Sequence, residues 1–372
     1  MISLFIKLMK NILLIIITFF IVSCGAIVST IVPFVDLPQP TGESKVGTLI
    51  LTIQDTTRKE WFTKSEEDNR KIVIQAWYPT EIEEGFPAPY LDQWEKRIRP
   101  ISEQINVPKV FIHSIKDVKT NSYLNAQITR SSKKYPVVIF SHGLGGMRMQ
   151  NTIQMEELAS NGYVTIAIDH AYDANITLFN DGSSADFRSG AEGDLTPEQF
   201  WDLRLPQIYT RVADVRFILD YIDRQTKVQH PFWELLDMSK VGMLGHSFGG
   251  GTAIVTSYED PRIKACVGLD GWIVPIPSTI IQNGINIPLL YIGRPEWDTP
   301  LNYLKLDSLI LSSKNYSEKI ILDQTKHFDY SDTPQFSPIS SKIGISGKMP
   351  ASVLKDTLNT KILTFFNKYI KN

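Results

Sequence analysis

The stretch Lys240 to Gly251, KVGMLGHSFGGG, decides how this chain is read. Val241 to Leu244 are apolar enough for a buried strand, and Gly249 to Tyr258 (GGGTAIVTSY) have the composition of a helix that stops before Glu259, Asp260 and Pro261. Between them stands Gly245-His246-Ser247-Phe248-Gly249, a G-x-S-x-G elbow, whose serine occupies a sharp turn from strand to helix. A Cβ two residues before or after such a serine collides with neighbouring backbone, so the pattern demands glycine at Gly245 and Gly249. Ser247 is thereby expected at the end of a sheet and over a helix N-terminus, a position that favours negative charge developing on an attacked carbonyl. A glycine-rich turn with an ordinary serine is the plain alternative, and the strand and helix on either side argue against it.

Outward from that stretch, 372 residues with 43% hydrophobic and 21% charged side chains are ample for a large core. A formal net charge of -2 leaves no electrostatic footprint for nucleic acid. With no linker, repeat or low-complexity tract in evidence, residues 45–372 are expected to form one domain, with insertions near 81–118 and 170–195. The N-terminus reads as an export signal: Lys7 and Lys10 precede the apolar run Ile12 to Val22, then come Ser23 and Cys24. Ile21-Val22-Ser23-Cys24 resembles the lipobox of bacterial lipoproteins, which implies cleavage of residues 1–23, a lipid on Cys24 and a tether over 24–44. The protein would then be exported to the cell envelope and held to a membrane without spanning it. An uncleaved signal anchor is the competing expectation, because Ala26 to Val35 stays apolar and the combined run matches a bilayer core of about 30 Å. Cys24 and Cys266 are the only cysteines, so neither a disulfide nor a cysteine metal site is expected, and Cys266 reads as a small buried thiol.

Gly47 to Ile53 and Lys71 to Tyr78 read as two opening strands forming an antiparallel edge. Residues 81–118, with four prolines among scattered aromatics, read as an insertion with short helices near the mouth of the site. Pro136 to Phe140 is an apolar strand running into Ser141-His142-Gly143-Leu144-Gly145-Gly146; a glycine-rich loop in that place supplies a second oxyanion donor in hydrolases built on such an elbow. A helix from about Gln150 to Asn161-Gly162 and a strand from Tyr163 to Ile168 continue the alternation. Residues 170–195 read as a solvated loop, its Asp173, Asp181, Asp186 and Asp194 lacking calcium-loop spacing. Thr196-Pro197-Glu198-Gln199 opens a helix with a reciprocal cap, which Pro206 is expected to kink. Lys264 to Leu269, Pro288 to Ile292 and Glu318 to Leu322 are further buried strands, and Pro350 to Ile370 a closing amphipathic helix. Count and order match an α/β-hydrolase fold, a mostly parallel doubly wound sheet with helices on both faces.

A serine hydroxyl needs a base oriented by a carboxylate, and in this fold the order along the chain is serine, acid, histidine. His113, His142, His170, His230 and His246 all precede Ser247, which leaves His327. For the acid the residues leave two candidates: Asp270, at the tip of one strand, and Asp298, after the next, where Asp298-Thr299-Pro300 also looks like a helix start.

GHSFGG, the LDGW after the following strand, SHGLGG and the histidine loop together resemble the platelet-activating-factor acetylhydrolase family, the lipoprotein-associated phospholipases and their bacterial relatives, from about Lys45 to the C-terminus. The resemblance implies Asp270 as the acid and the backbone amides of Leu144 and Phe248 as oxyanion donors. It also implies calcium-independent hydrolysis of short or oxidised acyl chains on phospholipids, with no cofactor or metal and no obligatory protein partner. A general carboxylesterase or a polyester hydrolase of the cutinase kind is the alternative within enzymes. An inactive hydrolase-fold binding protein is the alternative outside them, and it predicts a missing member of the serine, histidine and acid set.

Overall fold

The computed structural model describes residues 33–371 apart from Glu66, Glu83, Glu84 and Glu192. The expected signal peptide and Cys24 lie outside the described residues. Of the expected tether, 33–44 are held against the domain: the Leu37 amide donates to the Lys119 carbonyl at 3.0 Å and the Ser44 amide to that of Ser160 at 3.1 Å.

In chain order the strands are β1 (Lys45–Lys59), β2 (Asn69–Thr80), β3 (Pro87–Pro89), β4 (Lys119–Leu124), β5 (Tyr135–Ser141), β6 (Val164–Asp169), β7 (Ile176–Leu178), β8 (Ser184–Asp186), β9 (Leu236–His246), β10 (Ile263–Leu269), β11 (Leu289–Gly293) and β12 (Ser317–Ile321). Ten of them form one sheet in the order β12-β11-β10-β9-β5-β6-β2-β1-β4-β3, and β7 pairs with β8 in a separate hairpin. From β12 to β6 every pairing is parallel; β2 joins antiparallel to β6 and β1 antiparallel to β2. The two opening strands are therefore not the outermost ones, because β4 adds parallel to β1 and β3 antiparallel to β4. The sequence of β4, KTNSYL, is polar and only part-buried, so it carries no apolar run.

The longer helices are α1 (Trp94–Gln104), α2 (Thr152–Ser160), α3 (Pro197–Lys227), α4 (Phe248–Glu259), α5 (Leu301–Ser312) and α6 (Ala351–Phe366). Alternation along the central strands sorts them to two faces. Val137, Ile139, Val241 and Met243 face α3, α4 and α5 through Ile208, Val215, Leu219, Ile254 and Leu306. Val138, Phe140 and Leu244 face α2 and α6 through Met155, Leu158, Leu358 and Phe366. Cys266 is a buried free thiol on the first face, and burial pushes its pKa up to about 12. Helix α3 opens on the reciprocal cap: Thr196 accepts from the Gln199 amide at 3.3 Å while the Gln199 side chain accepts from the Thr196 amide at 3.0 Å. It continues through Pro206, the expected site of a kink, as one helix of 31 residues.

Two connections lie near the sheet's C-terminal edge. Residues 81–118 carry β3 and α1 and build a small apolar cluster of their own, with Tyr90, Trp94 and Ile101 packed on Met149 and Ile153. The 170–195 connection is not a solvated loop throughout: it contains the β7-β8 hairpin, and Asp173, Asn175, Thr177 and Ser189 are buried.

Candidate active site

Strand β9 ends at His246 and α4 starts at Phe248, so a single residue makes the turn. Ser247 makes it at φ 55 and ψ -122, a conformation that non-glycine residues rarely adopt and that costs of order 1–3 kcal/mol. The surroundings hold it there. The Ser247 amide donates to the Leu269 carbonyl at 3.0 Å, and its own carbonyl accepts from the amides of Trp272 at 2.7 Å and Gly250 at 2.9 Å. A Cβ at Gly245 would lie 2.0 Å from the Gly249 carbonyl oxygen, and one at Gly249 would lie 2.0 Å from that of Ser141. The backbone passes through the space a side chain would need at both positions.

His327 opens a short 3-10 turn, His327–Tyr330, after Gln324 has reversed the chain in the left-handed region. Its Nε2 lies 2.9 Å from Ser247 Oγ and its Nδ1 lies 2.5 Å from Asp270 Oδ2. Asp270 follows β10 and is fully buried. Its other carboxylate oxygen accepts from the Arg294 amide and from Trp297 Nε1, both at 3.1 Å, and Arg294 Nε stands 3.2 Å from Oδ2. Donors on every side satisfy a charge that burial alone would penalise. Asp298, the other candidate acid, is directed elsewhere: its side chain is 92% exposed, 3.7 Å from Arg294, and has no contact with the imidazole. Helix α5 takes its terminal hydrogen bond from the neighbour instead, Thr299 Oγ1 accepting from the Leu301 amide at 3.3 Å.

The loop after β5 lies against the elbow, for a Cβ at Gly143 would come within 3.1 Å of Ser247 Cβ. Among the described residues neither the Leu144 amide in this loop nor the Phe248 amide at the start of α4 donates to a protein acceptor. Two uncommitted N–H groups beside a serine can receive an oxyanion. Among the described residues no group of three or more histidine, cysteine, aspartate or glutamate side chains is arranged to hold a metal ion.

Among the described residues a hydroxyl, imidazole and carboxylate chain occurs twice, and access separates the two. Ser141 Oγ is 3.0 Å from His170 Nε2, whose Nδ1 is 2.9 Å from Asp214 Oδ2, but all three are sealed from solvent. Burial pushes the His170 imidazole down to about 4, which outweighs the Asp214 hydrogen bond. Burial works the other way on Asp214, yet the Arg70 guanidinium at 2.6 Å holds it below the usual carboxylate range. The Ser247 chain, by contrast, opens outward, the His327 side chain being 25% exposed.

Several neighbours of the site carry no local signal in the sequence. Gln104, the last residue of α1, reaches over Gly145 and accepts from Asn175, which ties the 81–118 insertion to the 170–195 connection. Asp173 pairs with Arg211 at 2.5 Å, although it falls in a stretch expected to be solvated.

A family profile for platelet-activating factor acetylhydrolase, isoform II, matches residues 30–372. Over 327 residues the chain is 26% identical to the platelet-activating factor acetylhydrolase of Cavia porcellus, covering 81% of this chain and 73% of that one. It is 26% identical over 208 residues to cutinase 2 of Thermobifida cellulosilytica, covering 52% and 66%. A solved ferulic acid esterase from Streptomyces cinnamoneus matches with a TM-score of 0.72 at 23% identity, over 90% of this chain and 93% of that one, a likeness of fold.

Proposed function

The chain belongs to the platelet-activating factor acetylhydrolase isoform II family, and we propose that it works through an acyl-enzyme on Ser247, with short or oxidised acyl chains of phospholipids as its substrate class. It is a carboxylic ester hydrolase of the α/β-hydrolase superfamily. In the proposed cycle Ser247 Oγ attacks the ester carbonyl while His327 Nε2 takes its proton; Asp270 holds the imidazole in the tautomer whose Nε2 is free to accept. The Leu144 and Phe248 amides receive the oxyanion. The alkoxide leaves with the proton from His327, and a water molecule repeats the sequence on the acyl group. One observation carries the reading: His327 spans 2.9 Å to Ser247 and 2.5 Å to Asp270, with the serine at an elbow that can form only where Gly245 and Gly249 stand.

The test is hydrolysis of p-nitrophenyl acetate and labelling by a fluorophosphonate, with wild type and Ser247→Ala side by side. Loss of both in the variant is expected; undiminished turnover would remove Ser247 from the mechanism. A general esterase with no phospholipid preference is the second reading, favoured by the cutinase similarity. A series of acyl lengths and head groups separates the two.

The N-terminal pattern supports a further proposal, that the protein is exported and carries a lipid on Cys24 that tethers it to a membrane. Mass spectrometry of the N-terminal peptide tests this, a diacylglycerol adduct on Cys24 supporting it and an intact leader supporting the signal anchor.

A further inference from the structure

The Arg211 guanidinium sits behind the elbow, fully buried, and touches both sides of the space that Leu144 and Phe248 border. Its Nη1 donates to the His142 carbonyl at 2.6 Å, two residues before Leu144. Its Nε donates to Asp173 Oδ2 at 2.5 Å, and the Asp173 carbonyl accepts from the Gly145 amide at 2.9 Å, one residue after Leu144. The peptide that carries the Leu144 amide is thus held on both flanks. The same guanidinium lies 4.8 Å from the centre of the Phe248 ring, a cation-π contact with the residue that supplies the other amide.

Burying a guanidinium is costly, and burial drives the Arg211 pKa down in spite of Asp173. Packing alone would be met by an apolar side chain at that place. What an apolar side chain would not supply is the fork: two donors at fixed angles, one on a loop carbonyl and one on the carboxylate of Asp173, the residue whose backbone carbonyl accepts from the Gly145 amide. Asp173 is itself fixed by Gln207 Nε2 at 2.8 Å and by the Ser189 hydroxyl, so the carboxylate does not swing to meet the arginine.

From this arrangement we infer that Arg211 is a positioning residue for the oxyanion site, setting the Leu144 and Phe248 amides at the separation the tetrahedral intermediate requires. The inference rests on the acyl-enzyme reading given above. Arg211 never meets the substrate; its effect is felt when Ser247 Oγ bonds to the carbonyl carbon, the carbonyl electron pair moves onto oxygen and the serine proton passes to His327 Nε2. Only then does the aim of the two amides count.

The experiment compares two inhibitors on the purified protein. An alkyl trifluoromethyl ketone adds to the serine and presents an oxyanion, whereas the matching methyl ketone binds without adding. Arg211→Met is expected to lower kcat and weaken the trifluoromethyl ketone by about 10- to 100-fold, with KM and methyl ketone affinity changed less than about threefold. Arg211→Lys, which replaces the fork with a single point donor, should recover only part of the loss. Ile222→Ala, a core truncation on the same helix, lowers Tm without altering the ratio of the two affinities. Should Arg211→Met not fold, Asp173→Asn carries the same comparison. A ratio like that of wild type in the folded variants overturns the inference while Ser247→Ala remains inactive; turnover retained by Ser247→Ala overturns the acyl-enzyme reading and this inference with it.

Discussion

The imidazole of His246 stacks on that of His327, ring centres 4.7 Å apart and planes 33° from parallel, and its Nε2 lies 3.2 Å from the His327 carbonyl oxygen. Gln150 Nε2, an obligatory donor, is 2.9 Å from His246 Nδ1, so Nδ1 accepts and Nε2 carries the hydrogen given to that carbonyl. Burial, and after it the charge of His327, hold the His246 pKa well below the usual histidine value. His246 therefore stays neutral when its neighbour takes up a proton, and it ties the backbone of the base to the residue before the nucleophile. His246→Phe keeps a stacking face and removes the tie. We expect kcat to fall on the order of tenfold or more, with KM changed less, because small misplacements of a base are costly. Steady-state kinetics check this, and an unchanged kcat would show that the turn carrying His327 holds itself in place.

The assignment of the acid gives a sharper contrast. Asp270→Asn preserves shape but presents an amide to His327 Nδ1, favouring the wrong tautomer, and should lower kcat by about ten-thousand-fold. Asp298→Asn, at an exposed position 3.7 Å from Arg294, should leave kcat within about twofold. Equal losses from the two substitutions would contradict the geometry around Asp270.

These two aspartates also mark how far the sequence can be read. The elbow, the parallel strands and His327 were legible because each rests on local pattern or on order along the chain. Asp270 and Asp298 both sit at strand ends, and nothing local separates them; the family resemblance favoured Asp270, and the donors that converge on it come from Arg294 and Trp297, more than twenty residues on. Strands β3 and β4 carry no signal in the sequence because an outer strand of PAP or KTNSYL needs no apolar alternation. Asp173 stands in a polar stretch that carries every mark of a solvated loop, and its partner Arg211 lies 38 positions away. A buried ion pair between remote positions has no periodic signature.

Glycine at the elbow is a steric demand that a pair of substitutions can isolate. Gly249→Ala would place a Cβ 2.0 Å from the Ser141 carbonyl oxygen, inside the strand that leads to the Leu144 loop. Neither backbone can retreat, so a loss of about 3 kcal/mol or more is expected, together with activity. Gly182 stands at φ +85 with nothing within 4 Å, and Gly182→Ala should cost about 1–2 kcal/mol from backbone strain alone. Urea unfolding at constant m-value measures both. A Gly249→Ala protein as stable as the Gly182→Ala protein would mean that the elbow can open.

The sealed chain around His170 makes stability depend on pH with a definite sign. Ser141, Asp214, Asp173 and Arg211 surround the ring; burial lowers its pKa most, Arg211 adds to that, and the two aspartates work against it, leaving a value of about 4. The unfolded chain takes up the proton near 6.5 and the folded protein only near 4, so this contribution is complete above pH 6.5 and is lost as pH falls between those values. Each pH unit in that interval costs up to about 1.4 kcal/mol per such histidine. His170→Gln removes the difference in proton uptake while leaving His142 and His246, which are also held neutral by burial. Unfolding free energies measured at pH 7 and at pH 5 should therefore fall more steeply for wild type than for the variant. Parallel decline in the two proteins would mean that His170 is already protonated in the folded state, and the hydrogen bond to Asp214 would then be an ion pair.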